Sequence, residues 1–374
     1  MELPDEIPAF GWKAISDVRP YSGNGVEVCG NTLKNRYYEM RLDSSGRIES
    51  LFDRRAEREV FRDGAFGNEL QVFEDYPRQY DAWEMTDYYK QKMWILDTPA
   101  EITPVFDGAR AGVQVVKRYM HSTITQKIWL YSGSPRIDFE TEIDWHEKHQ
   151  ILKAAFPLAI HANNATFDIQ FGHVVRPTHE NTSWDKARFE SYGHKWVDVS
   201  ENGYGVSLLN DCKYGYNTEG STLKLTMLKC ATYPNPHADE GKHIFTYSLL
   251  PHIGDFREAG VIQEAYSLNQ PLEAVHVNSG DGTLPGTYSL VSSDSPNVMI
   301  ETVKKAEADG SMIVRLYEAF DRRSKAVISV AEGFKKAYLC NLLEDELEEL
   351  PFDGTKLPLP VRNFEIITLK FTRE

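Results

Sequence analysis

The sequence predicts an all-β protein, a large sandwich followed by a smaller one. Three observations carry this. Long helical periodicities are scarce, while short alternating or continuous apolar segments recur between turn signals. Several of these segments have the length of sandwich strands. The composition shifts at Ser267-Leu268-Asn269-Gln270-Pro271, and the turn-rich Asn278-Ser279-Gly280-Asp281-Gly282-Thr283 and Pro285-Gly286 follow.

In chain order, Tyr37-Tyr38-Glu39-Met40-Arg41-Leu42, Asp43-Ser44-Ser45-Gly46 and Arg47-Ile48-Glu49-Ser50-Leu51-Phe52 read as a hairpin, with Gly46 free to take positive φ in the turn. Strands are expected over 112–119, 124–131, 137–145, 152–160, 204–209, 222–228 and 244–250. Beyond the shift they are expected over 289–292, 298–303, 312–320, 326–330, 337–342 and 364–371. The resulting division is a linker or N-terminal strand from a preceding domain over 1–24, a large sandwich over 25–270 and a small one over 271–374. In the run 312–320, strict alternation sets Met312, Val314, Leu316, Glu318 and Phe320 on one face. A carboxylate there is costly unless paired, and a partner across the domain seam is expected for Glu318.

At about 150 residues per domain, 374 residues allow two or three domains or one large β unit with an appendage. Hydrophobic residues at 41% and aromatics at 12% supply a sizeable core and argue against disorder. The formal charge, 41 − 56 = −15, argues against a nucleic-acid partner, whose affinity rests on a basic footprint, and favours solubility. Met1-Glu2-Leu3-Pro4-Asp5-Glu6 has no leader character, and no apolar run approaches the roughly 18 residues of a membrane span. A soluble, non-exported, cytoplasmic chain without a membrane partner is expected. Cys29, Cys212, Cys230 and Cys340 form no CxxC and read as buried free thiols. The triplets at Asn164 and Asn181 match a glycosylation pattern that means nothing without export.

No complete catalytic constellation is visible. P-loop, GxGxxG, GxSxG and HExxH motifs are missing, and His146-Glu147-Lys148-His149 has the wrong spacing for two ligands on one helical face. Catalytic and metal-ligating residues are therefore expected to be none. Two segments do collect the aromatic, carboxylate, amide and guanidinium groups that recognise sugars. The first runs from Asn68 to Glu84 and offers Asp81 and Trp83. The second runs from Phe171 to Trp196 and offers Arg176, His179, Asn181, Trp184, Asp185, His194 and Trp196. Arg315 and Glu318 are added as outlying candidates. Both segments lack alternation and read as long loops over a rigid sandwich, where binding tends to sit; the alternative is packing of one domain on another.

The second segment, continued through Gly203-Tyr204-Gly205-Val206, Leu209-Asn210-Asp211-Cys212-Lys213-Tyr214-Gly215-Tyr216, Thr232-Tyr233-Pro234 and Tyr247-Ser248-Leu249-Leu250-Pro251-His252, resembles the C-terminal region of family 38 α-mannosidases, in their cytosolic and bacterial branch. Asn68-Glu69-Leu70-Gln71, Asp81-Ala82-Trp83 and Arg315-Leu316-Tyr317-Glu318 are similar to the same family. The resemblance implies a galactose-mutarotase-like β super-sandwich and a small β-sandwich. It also implies that zinc, nucleophile and acid/base belong to an N-terminal catalytic barrel with no counterpart here. Partners are then that barrel, a helical domain of the same parent chain and a mannoside or oligosaccharide substrate. Pro8-Ala9-Phe10-Gly11-Trp12-Lys13 resembles the segment after the helical region, so Met1 is expected to be an added start. The parent would hydrolyse terminal α-mannosides with retention, and this chain would supply scaffold, carbohydrate binding and active-site wall. Two other functions remain open: an autonomous mutarotase-like epimerase using His173, His179 or His194, and a free-standing carbohydrate-binding module. Loss of the partner domains would expose an apolar or aromatic patch around the two loops and favour self-association.

Overall fold

A computed structural model describes residues 7–15, 25–277 and 282–373. Most of the expected 1–24 segment, and Asn278 to Asp281 of the turn-rich stretch, lie outside the described residues. Residues 25–168 with 174–273 pack as one compact unit; 7–15, 169–173, 274–277 and 282–373 pack as another.

Among its described residues the larger unit is built on sheets of nine, six and five strands. The nine-stranded sheet is antiparallel at its centre, where Ile137–Trp145 lies between Ser122–Tyr131 and Gly241–Ile253. In Ile137–Trp145 alternate residues Ile137, Phe139, Thr141, Ile143 and Trp145 are buried, the pattern of a pleated strand with one face on a core. In the six-stranded sheet, Gln150–Pro157 lies between Thr222–Lys229 and Glu69–Glu74. The two sheets meet through aromatic side chains. Phe139 stacks on Tyr247 at 4.8 Å, and Phe156 of the six-stranded sheet meets Phe139 edge-on at 5.9 Å. Burying each such side chain contributes about 1.5–3 kcal/mol. A fully hydrogen-bonded polar chain runs through this core. Tyr247 receives a bond from Gln126 at 2.7 Å and donates to Asn68, whose amide in turn donates to Gln126 at 3.1 Å.

The expected hairpin is present as Tyr38–Leu42 and Ile48–Asp53, with Gly46 at φ 80° where a Cβ would meet Val115 at 2.4 Å. Two sequence expectations change. Glu69–Glu74 is a strand paired on both sides and not loop, and its four central residues are buried on both faces and so show no alternation. Gly172–Pro177 and Trp196–Glu201 are likewise strands at the ends of the second segment. A helix, Val261–Asn269, was not read from the sequence. It turns Val261, Ile262 and Ala265 inward, and the composition shift falls at its C-terminal end, where Pro271 cannot continue it.

The C-terminal unit packs a three-stranded and a five-stranded sheet around Val314, Leu316, Ile328, Leu357, Leu369 and Phe371. Gly11–Lys13 pairs with Thr287–Ser289, and Gly11 is required there because a Cβ would lie 1.8 Å from the Tyr288 carbonyl oxygen. Glu318 is fully buried, as its alternation predicted, but its partners come from its own unit and not from across a seam. It accepts bonds from Asn297 Nδ2 at 2.8 Å, the Phe320 amide at 2.8 Å and the Arg322 and Phe364 amides at 3.1 Å. No helix among the described residues is long and apolar enough to cross a membrane.

Candidate functional site

The two nominated segments converge on one face of the six-stranded sheet. Beyond Glu74 the first leaves the sheet, turns at 80–84 and returns through the 3-10 turn Asp87–Gln91. The second carries a one-turn helix, Ser183–Lys186, capped reciprocally by Thr182 and Asp185. Lys90 binds Glu180 at 3.1 Å and also Glu219, and Lys186 lies 3.7 Å from Asp87. Beneath them Phe73, Tyr89 and Ile151 form a small apolar cluster that receives Met85 from the first segment and Phe189 from the second.

Under this cover lies a buried ion pair that the sequence reading passed over. Lys153, with no solvent exposure, binds the carboxylate of Glu190, which also accepts from Thr226, and the Lys153 ammonium sits 5.2 Å from the Tyr89 ring centre. Burial pulls the Lys153 ammonium below its usual range and Glu190 pulls it back up only partly. The signal was available as a lone lysine inside the apolar run Ile151-Leu152-Lys153-Ala154-Ala155-Phe156.

Asp81 is a tether. One of its carboxylate oxygens accepts from the Thr232 amide at 2.6 Å and hydroxyl at 3.1 Å, the other from the Tyr233 amide at 2.9 Å. Burial raises this carboxyl, but those donors and the nearby His149 outweigh it and hold it below its ordinary value. Lys229 adds a second clasp, to Asp75 at 2.6 Å and to the Asp81 carbonyl. Trp83 stands 68% exposed beside it.

Arg176, His179 and Asp185 come together around a cavity of about 10 Å³, room for about one water molecule and too small for a sugar. Arg176 is fixed between the rings of Phe167 at 4.4 Å and Tyr192 at 4.6 Å and donates to the Tyr192 carbonyl at 2.7 Å. His179 lies 3.7 Å from Asp185. The hydroxyl of Thr182, then its amide, His179 and Arg188, lower the Asp185 carboxyl. Asn181 is exposed and Trp184 is 80% exposed on the same loop. His194 lies between the rings of Tyr192 at 6.1 Å and Tyr214 at 5.5 Å, and burial lowers its imidazole.

Two nominations are interior, and a third belongs to the other unit. Trp196 is 1% exposed and packs on Phe256 at 4.9 Å, so it is core and cannot wall a ligand. Glu318 is equally interior, and Arg315 belongs to the C-terminal unit, where it donates to the Leu342 carbonyl at 2.9 Å. Among the described residues no three His, Cys, Asp or Glu side chains are grouped to hold a metal ion. The sequence nominations also omitted Tyr76, Tyr80, Tyr233 and His149, which surround Asp81 and Trp83.

Residues 33–237 match the C-terminal domain of glycosyl hydrolases family 38, and residues 297–369 match the C-terminal β-sandwich domain of that family. The chain belongs to family 38. Its relatives include human alpha-mannosidase 2C1, 40% identical over 90% of this chain and 33% of the relative. Alpha-mannosidase G of Dictyostelium discoideum is 37% identical over 91% of this chain and 32% of the relative. The chain thus spans about a third of the length of the curated relatives it matches. The fold agrees with that of a family 38 protein from Enterococcus faecalis, with a TM-score of 0.79 at 17% identity, covering 96% of this chain and 47% of that one.

Proposed function

We propose that this family 38 chain is the non-catalytic C-terminal region of a zinc-dependent, retaining α-mannosidase, and that it serves as scaffold and as one wall of the active site. The observation that carries the reading is the family membership combined with relatives that are named α-mannosidases and are three times as long. Zinc and the nucleophile would then come from the N-terminal portion of the parent, and no step of the reaction runs through residues of this chain. What the chain offers is a surface: Trp83, Asn181, Trp184 and the Arg176–His179–Asp185 group on loops that are fixed to a sheet by buried ion pairs.

The test is hydrolysis of a chromogenic α-mannoside by this chain alone and by the chain mixed with the separately produced N-terminal portion of the parent, each with and without added zinc. Turnover in the mixture only is the expected result. Turnover by the chain alone would overturn the reading, because the chain would then carry its own nucleophile.

A further inference from the structure

The aromatic groups around Asp81 are exposed, on backbone that is held in place. Trp83, Tyr80 and Tyr233 are 68%, 57% and 56% exposed, and Tyr80 lies 6.3 Å from Trp83 and 6.4 Å from Tyr233, centre to centre. The rings are inclined at 69° and 50°, so they outline a cradle instead of one flat sheet. Tyr76 flanks it, stacked on His149 at 4.3 Å. A backbone that had to be ordered on binding would cost affinity; the backbone that carries these rings is anchored before any ligand arrives. Asp81 ties the 80–84 turn to Thr232 and Tyr233, and the Trp83 and Glu84 amides close that turn on the Tyr80 carbonyl at 2.8 and 2.9 Å.

From this geometry we propose that Tyr80, Trp83 and Tyr233 form a hexopyranose-binding cradle, with Asp81 as its positioning residue. The make-up of the patch favours a sugar over a protein. It contains rings with polar handles, three phenol hydroxyls counting Tyr76 and the indole N–H, with no large aliphatic side chain exposed among them, and polar Arg78, Gln79 and Glu84 surround the turn. A pyranose presents C–H faces to such rings and hydroxyls to such a rim. The exposed apolar patch of the C-terminal unit, Leu342, Leu343 and Leu347, has the opposite, aliphatic make-up. Asp81 itself is a tether, since its carboxylate oxygens are already occupied by Thr232 and Tyr233.

The choice of sugar rests on the α-mannosidase reading, so the probes are methyl α-mannopyranoside and an α-linked mannobiose. Each is titrated into the full chain, followed by indole fluorescence and by saturation transfer from protein to ligand. Trp83→Ala, Tyr233→Ala and, as a control, Leu343→Ser are titrated in parallel, with far-UV circular dichroism confirming the fold. Saturable binding that weakens about tenfold or more in each ring variant, and not in the control, is expected for a central aromatic anchor. Absence of saturable binding to the unsubstituted chain, or binding undiminished in both ring variants, would overturn the cradle. So would burial of Trp83 on mixing with the N-terminal portion in the absence of sugar. These outcomes are separable from the mixed hydrolysis assay: turnover restored without sugar binding by this chain removes the cradle alone, and binding without restored turnover removes the mannosidase reading alone.

Discussion

Replacing Glu190 by Gln removes the carboxylate that Lys153 binds while keeping the shape of the side chain. Lys153 has no exposure and Glu190 retains 20% on its side chain. Removing one member of a buried pair costs about 3–5 kcal/mol, and the partly open carboxylate side argues for the low end, about 3 kcal/mol. For a unit of this size that lowers Tm by about 6–12 °C. The loss depends on pH. The folded-state ammonium already titrates below its unfolded value of 10.5, and losing Glu190 lowers it further. The folded state therefore binds fewer protons than the unfolded state over the interval between the two values, and stability rises with pH across it. Replacing Lys153 by Met in the same chain removes the stranded charge, so the double variant should recover most of the loss, a strongly non-additive cycle. The assay is urea denaturation of the four proteins at two pH values. A Glu190→Gln loss under about 1 kcal/mol, additive with Lys153→Met and flat in pH, would refute the argument and show that Lys153 is solvated in the folded chain.

Three further outcomes follow from the same reasoning. Trp196→Ala should cost about 3–5 kcal/mol in denaturant titration because it opens a cavity beside Phe256, whereas Trp184→Ala, at 80% exposure, should stay within about 0.5 kcal/mol. Glu318→Ala strands the buried Phe320 amide, the buried Asn297 amide group and the partly buried Arg322 and Phe364 amides, and should lower the stability of the C-terminal unit by about 3 kcal/mol, read as an earlier transition in calorimetry. Asp81 is depressed below its ordinary 3.8, so its contribution is fully present above that value and is lost as the pH falls through the depressed one. Acid titration followed by Trp83 fluorescence should show the turn loosening in that low window, and Asp81→Asn should abolish the pH-dependent step.

The sandwich was legible where one face of a strand meets the core and the other meets water. Ile137–Trp145 and Tyr38–Leu42, the first strand of the hairpin, show that alternation openly. It was illegible where cover on both faces erases the period, as in Glu69–Glu74, or where the element is a short edge strand such as Val26–Cys29. The candidate site was half legible for a related reason. Composition finds residue types, and it draws attention to the loops bearing Trp83 and Trp184. It does not distinguish a tryptophan at 68% exposure from Trp196 at 1%, since that difference is made by Phe256, sixty residues further along the chain. Nor does it pair Asp81 with Thr232 or Lys153 with Glu190, because those contacts exist only after the sheet has formed.

The distribution of buried charge bears on what the loops are for. A buried pair is a poor source of stability, since a well-packed apolar substitute often does as well or better. Yet Lys153 with Glu190 and Lys229 with Asp75 both lie at the roots of the two loops. Burial raises the Asp75 carboxyl even with Lys229 beside it, so this second pair is also not free of desolvation cost. Ion pairs with such costs are directional where apolar packing is not: each holds one oxygen against one nitrogen and so sets the position of the segment that carries it. Loops whose only task was to shield the sheet could be fixed by more residues like Phe73, Met85 and Phe189. A first loop that must hold Tyr80 and Trp83 against Tyr233, and a second that must hold Arg176, His179 and Asp185 together, need the directional kind, and the cradle and the wall proposed above require it in turn.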